Sequence, residues 1–322
     1  INMNNLFDRS ADQEFTWESK HIKYFLSQKN LGRAKVKKII EVNPDINQWD
    51  KEYVVGQLGT DMAFQLLPEE IPEIAPLDDD EVINFKDKRF PENLKNMKKD
   101  PPLLLWYKGN LNVGKGVAVV GSRNIIPETK EIVDSFVNIA CNEGFNIVSG
   151  LAHGVDEQAH KVALENNSKT VAILPSSLDN ILPHTNKNLA YEIVENGGLL
   201  LTEHEPGSPK KPENSNYISR NRLQAGLSDA VFIAQSGIPG GTMTTAKHAI
   251  DNEIALIVYL SENMSEEYKG NKFLTDTVDE NFDYSQFKLT NNQREKIFVK
   301  KKIADYVLTA SKLDIEGILS NI

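Results

Sequence analysis

Five short segments set polar side chains at turns, four of them around glycines: Gly121-Ser122-Arg123, Ser149-Gly150-Leu-Ala-His-Gly154, Pro175-Ser-Ser-Leu-Asp179, Glu203-His-Glu-Pro-Gly207 and Ser236-Gly-Ile-Pro-Gly240-Gly241-Thr242. Glycine-rich turns that open helices hold phosphate through backbone N–H groups and the positive end of the helix dipole, and need little beyond a neutralising arginine. An ordinary tight turn would account for any one of the five. Together with Arg123 they point to an anion site. Between Gly207 and Gln224 stand Lys210, Lys211, Arg220 and Arg222 against Glu213: four cations less one carboxylate, a local charge of +3 in a chain of net charge -10. Phosphate contacts require such cations, and arginine adds a bidentate geometry that lysine lacks. Tyr217, three residues before Arg220, is placed to stack on an unpaired base, an interaction worth about 1–3 kcal/mol, although a tyrosine half-buried at a loop edge fits the spacing equally well. With Arg220 and Arg222 flanking Asn221 on one surface groove, reversing both charges is expected to abolish binding to a single strand at nearly unchanged thermal stability.

Other chemistries find less support. The six histidines are scattered, and no spacing suggests a metal pair or a Ser-His-Asp arrangement. His153 reads as a packing or hydrogen-bonding residue. Asp156 reads as a helix cap and Asp179 as a strand terminator. Neither a G-x-G-x-x-G nor a P-loop pattern occurs, so no dinucleotide or nucleoside triphosphate cofactor is expected, and no catalytic residue or metal ligand is assigned. The single cysteine, Cys141, excludes an internal disulfide and reads as a buried structural thiol.

Strands and helices alternating with short joints must carry these loops. Nearly continuous apolar runs at 117–120, 145–148, 170–174, 198–202, 230–234 and 254–260 read as strands buried on both faces, with helices near 128–142, 155–166, 186–196, 219–227 and 242–252. A leading strand is expected in 101–107. This is an α/β fold, an extended Rossmann-like and mostly parallel sheet with helices on both faces. In such sheets ligands collect beyond the carboxyl ends of the strands, which puts all five loops on one rim.

Length allows one main domain and two accessories. Residues 1–75 read as a small helical unit, with helix, glycine turn at Asn30-Leu31-Gly32 and helix, similar to helix-hairpin-helix or sterile-alpha-motif modules. Three prolines in 68–76 end it. Residues 76–262 form the sheet domain, and 263–322 a linker with a small helical C-terminal unit. The acidic balance opposes non-specific attraction to polyanions, so any nucleic-acid site must be local. With no apolar run near 18 residues and no signal-peptide pattern, the expectation is a soluble cytoplasmic protein without a membrane partner.

Residues 117–260 resemble the DNA-processing protein A family, also called DprA or Smf. The resemblance is carried by Gly121-Ser-Arg123, Ser149-Gly-Leu-Ala-His-Gly-Val-Asp156, Leu178-Asp179 with Pro183 and Asn186, Glu203 with Pro206-Gly207 and Pro209, Arg220-Asn-Arg222, Ala225-Gly-Leu-Ser228 and Gly241-Thr-Met-Thr-Thr-Ala246. It implies a non-enzymatic protein that binds single-stranded DNA in a basic pocket, forms a homodimer and helps load a RecA-type recombinase on incoming DNA in natural transformation. Arg123, Arg220 and Arg222 match the family's pocket arginines. His153 stands where the family usually has arginine, Ile218-Ser219 where a Pro-Arg pair is usual, and Ala234 or Gln235 where a glutamate commonly ends the fifth strand. Pro239-Gly-Gly-Thr242 is also similar to the phosphate loop of the LOG-type nucleoside-monophosphate phosphoribohydrolases, whose catalytic glutamate has no counterpart in Met243-Thr-Thr-Ala-Lys247.

Overall fold

The computed structural model describes residues 19–27, 32–42, 82–209, 211–262 and 265–322. The chain divides into two compact units, Ile1–Phe90 with Asp100–Leu105, and Pro91–Lys99 with Trp106–Ile322. In the first unit, α1 (Ser19–Ser27) and α2 (Arg33–Val42) stand where the periodicity predicts two helices, burying Ile22, Phe25, Val36 and Ile40. The Arg33 guanidinium grips both carboxylate oxygens of Asp100, at 2.8 and 2.5 Å. A short strand that periodicity did not show, β1 (Val82–Asn84), precedes Phe85, whose N–H donates to the Leu103 carbonyl at 3.0 Å. The helical continuation expected over 45–75 and the proline boundary at 68–76 lie outside the described residues.

The second unit carries a small helix α3 (Glu92–Lys95) and the sheet. The sheet strands are β2 (Leu104–Gly109), β3 (Gly116–Gly121), β4 (Asn146–Ser149), β5 (Thr170–Ile173), β6 (Leu199–Thr202), β7 (Ala230–Gln235), β8 (Ala255–Tyr259) and β9 (Tyr306–Leu308). They lie in the order β2-β6-β5-β4-β3-β7-β8-β9. All neighbours are parallel except β2, which runs antiparallel to β6 with Trp106 opposite Thr202.

Successive side chains on a strand face opposite ways, and both sets are apolar here. Val117, Val119, Phe232, Ala234, Ile257 and Tyr259 bury one face against α4 (Pro127–Asn142) and α5 (Val155–Glu165), where Phe136 stacks on Phe232 at 3.9 Å. The alternate residues Ala118, Val120, Val231, Ile233, Leu256 and Val258 are just as buried. On their face α8 (Gly241–Asn252) packs on β3, β7 and β8. Helix α6 (Lys187–Glu195) covers β5 and β6 through Leu189, Ala190 and Ile193, and α7 (Asn214–Gly226) packs on α8.

The described residues of the C-terminal segment, 265–322, were expected to form a linker and a small helical unit. They do carry helices, α9 (Lys269–Thr275), α10 (Asn291–Lys300) and α11 (Ile315–Leu319). They also supply β9, which pairs with β8 through Ile257 opposite Tyr306, while Leu308, Ile315 and Leu319 complete the core above β3 and β7. Within 265–322, β9 thus joins the sheet and Leu308, Ile315 and Leu319 join its core. The strand was invisible because it spans three residues, too few for alternation to register. No helix among the described residues is long and apolar enough to cross a membrane.

Candidate nucleic-acid interface

Strand β3 lies between β4 and β7, so the winding that leaves it toward β6 resumes on its other side at β7. At such a reversal the crossover connections part and leave a crevice at the carboxyl ends of the strands. A cleft of 410 Å³ opens there, within the ~300–1,000 Å³ of small-ligand sites. It is lined by the end of β3, the start of α5, one face of α7 and the loop between β7 and α8.

The β3 side is set by hydrogen bonds from Gln235. The parallel register with β7 slips after Val120, so that Gly121 faces Gln235. The Ser122 N–H donates to the Gln235 carbonyl at 2.9 Å, the Gln235 side-chain amide donates to the Asn124 carbonyl at 2.9 Å, and its oxygen accepts from the Ile126 N–H at 3.3 Å. This clamp turns the chain outward and leaves Arg123 exposed at the mouth. Gly154, at φ +77°, lets α5 start beneath the turn; a side chain there would run into the Ser122 carbonyl, which accepts the Val155 N–H at 3.1 Å.

Helix α7 supplies the opposite wall. It begins at Asn214, ahead of the residue 219 expected, because the Asn216 side-chain oxygen accepts the Glu213 N–H at 2.8 Å and draws the polar segment into the first turn. Tyr217, Arg220, Asn221 and Gln224 therefore fall on one helical face, and all four line the cleft. Arg222, roughly 200° round the axis from Arg220, does not. Its guanidinium is buried against Glu203 at 2.6 Å and also donates to the Ser219 carbonyl at 3.3 Å. The two arginines expected to share a surface groove are thus separated by the helix that carries them. Both are buried, so reversing their charges is expected to cost stability as well as binding.

Arg220 reaches under the cleft floor. Its Nη1 donates to the Ile173 carbonyl at 2.6 Å. Gly150 makes room for it: a methyl group there would overlap the guanidinium, 2.6 Å from Nη2 and closer to Nη1. Asp156 faces the same floor, buried, with its carboxylate accepting the Gly150 N–H at 3.1 Å. Burial pushes its pKa above the usual carboxylate value, and the Arg220 charge opposes that shift. Burial likewise lowers the Arg220 pKa, with Asp156 in opposition. Behind the floor, burial and the Arg220 charge drive the His160 pKa down to about 3, and its Nδ1 shares a 2.7 Å hydrogen bond with the Thr170 hydroxyl. Among the described residues Arg220 Nε and Gln224 Nε2 have no hydrogen-bond partner.

At the rim the Arg123 guanidinium lies over the Tyr217 ring, 5.1 Å from its centroid. Gly240, Gly241 and Thr242 bring the N-terminus of α8 to the cleft. Asn221 fixes that end by donating to the Gly241 carbonyl at 3.1 Å and the Thr244 hydroxyl at 2.8 Å. The loop before it is held from α9, where the Asn271 amide donates to the carbonyls of Ala234 at 3.2 Å and Tyr259 at 2.6 Å and its oxygen accepts the Ser236 N–H at 2.6 Å.

Of the residues singled out in the sequence, Gly121, Ser122, Arg123, Tyr217, Arg220, Asn221, Gly240, Gly241 and Thr242 line this cleft. Gly150 lies directly behind Arg220. Arg222 faces away, Lys211 is exposed outside the lining, and Lys210 lies outside the described residues. Gln224 was missed, though it stands seven residues after Tyr217 on the same face. Asp156 was read as a cap, but Gly154 precedes α5 without any side-chain cap, and the Asp156 carboxylate serves Gly150 and the cleft floor. His153 is exposed and bonds to Glu157 and Thr185, both at 3.2 Å. Among the described residues no cluster of His, Cys, Asp and Glu could hold a metal ion. A mouth with an exposed guanidinium, a ring and a helix N-terminus suits a phosphate and an attached planar group.

Comparison with known proteins matches residues 81–281 to the family described as DNA recombination-mediator protein A. Protein Smf of Borreliella burgdorferi is 37% identical over 174 residues, 53% of this chain and 54% of the relative, so the chain spans about half that relative's length. Among solved structures, DNA processing protein A of Streptococcus pneumoniae superposes with a TM-score of 0.67 at 26% identity, over 80% of this chain and 92% of that one. The Helicobacter pylori DNA processing protein A, whose structure is described as giving insights into its single-stranded DNA binding mode, superposes with a TM-score of 0.52 at 30% identity, over 66% and 94%.

Proposed function

This chain belongs to the DNA recombination-mediator protein A family, and from that premise we propose that it binds single-stranded DNA at the cleft between β3 and β7, as a binding protein and not an enzyme. The observation that carries the reading is the mouth of the cleft, where Arg123 over Tyr217 faces the N-terminus of α8. Those groups take a backbone phosphate and stack a base without demanding sequence. Arg220 acts from below, as a buried positive charge under the bound strand. Among the described lining residues the sole carboxylate is Asp156, buried and hydrogen-bonded to Gly150. A phosphoribohydrolase would place a glutamate in the first turns of α8, and none stands there.

The protein then acts on DNA in the cytoplasm, during natural transformation or recombination, protecting the strand and passing it to a RecA-type recombinase as a homodimer. Family membership supports these partners. The test is fluorescence anisotropy of a labelled single-stranded oligonucleotide, with duplex and AMP as competitors. The expected result is binding that duplex and AMP fail to displace and that weakens with salt, with a log–log slope of about -0.7 per phosphate contacted. Displacement by AMP, or a flat salt response, would overturn it in favour of small-nucleotide recognition. Light scattering showing a monomer at micromolar protein would remove the homodimer.

A further inference from the structure

The floor of the cleft differs chemically from its mouth. The mouth is cationic and exposed, whereas the floor is polar and closed: Arg220 is 6% exposed, Gln224 2% and Asp156 5%. A second phosphate would meet the Asp156 carboxylate there, so a neutral group suits the floor better than an anion. Two buried donors of lining residues have no hydrogen-bond partner among the described residues, Arg220 Nε and Gln224 Nε2, carried one helical turn apart on the same face of α7. A buried donor left unsatisfied is costly, which favours any ligand bringing two matching acceptors.

We propose that the floor reads the edge of one unpaired base, with Arg220 Nε and Gln224 Nε2 donating to a base that offers two neighbouring acceptors. Cytosine offers O2 and N3, and guanine offers O6 and N7. Adenine and thymine interpose a donor between their acceptors, at the N6 amino group and at N3–H, and fit the pair poorly. The phosphate stays at the mouth with Arg123 and the α8 N-terminus while the base passes inward beside Tyr217. The inference rests on the single-stranded DNA reading above and gives it a base preference.

The experiment compares oligo(dC) with oligo(dT) of equal length at neutral pH, by anisotropy, for the full chain and for Gln224→Leu and Gln224→Glu. The expected result is dC bound about five-fold more tightly than dT by the unsubstituted protein, the scale of one correctly paired base edge. The ratio falls to one in Gln224→Leu. It does the same in the near-isosteric Gln224→Glu, because both pyrimidines offer an acceptor beside a donor. Equal, salt-sensitive binding of dC and dT by the unsubstituted protein overturns the base reading and leaves the DNA cleft standing, as does a ratio that survives in both variants. No binding of either strand removes the DNA reading itself, and this inference with it.

Discussion

Replacing Arg222 and Arg220 one at a time separates folding from recognition. The Arg222 guanidinium meets Glu203 at 2.6 Å, with the two side chains 2% and 15% exposed. Removing one partner of a buried pair costs about 3–5 kcal/mol; water reaching Glu203 puts Arg222→Met near the lower end, about 3 kcal/mol. At roughly 2–4 °C per kcal/mol for a domain of this size, the melting midpoint falls by about 6–12 °C. Below its midpoint Arg222→Met binds single-stranded DNA like the unsubstituted protein, because its side chain lies on the far side of α7. Arg220→Gln melts lower too, having lost the bond to Ile173, but it also weakens binding about ten-fold or more, the scale of one charge-assisted contact. Melting by circular dichroism and titration by anisotropy read the two effects on the same samples. If Arg222→Met weakened binding as much as Arg220→Gln while its midpoint stayed unchanged, the separation of the two arginines by α7 would be wrong.

Gly150→Ala forces the Arg220 guanidinium off the Ile173 carbonyl; binding is expected to fall with a stability loss of about 1–3 kcal/mol from overpacking, and an alanine variant that binds normally would show that Arg220 need not sit there. Acid should destabilise the fold through His160 and His248, whose pKa values drop on burial to about 3 and about 4. With folded values below the unfolded one, the stability is intact above about pH 6.5 and is lost as the unfolded chain takes up protons first, about 2 kcal/mol per histidine between pH 7 and pH 5. Asp156, raised by burial, works in the opposite direction. Urea unfolding at the two pH values should show His160→Asn losing its share of the difference, and an unaltered difference would refute the assignment.

The central strands were legible because a run such as Val117-Ala-Val-Val120, buried on both faces, has few other uses. Strands β1 and β9 were not, since three residues at or near an edge carry no alternation. The cleft was legible through its glycine loops, which mark the strand ends whatever the helices do. Its chemistry was only half legible. Arg220 and Arg222 read as neighbours in a charged segment, and only the start of α7 at Asn214, fixed by a polar hydrogen bond and not by apolar periodicity, assigns them to opposite sides. Gln224 carried no signal of its own, because an uncharged amide becomes informative only once the helical face is known.

Helix α7 holds its place with one set of residues and meets the ligand with another, two positions apart in the sequence. Glu203 and Arg222 tether the back of the helix, outside the cleft lining. Substitutions at 217 or 224 can therefore accumulate while the tether persists, whereas Arg220, bonded to the Ile173 carbonyl, serves the fold as well as the ligand. Selection on such a helix acts along two axes that meet at Arg220, one for persistence and one for taste, so divergence among relatives should concentrate at 217 and 224 while the rear stays fixed.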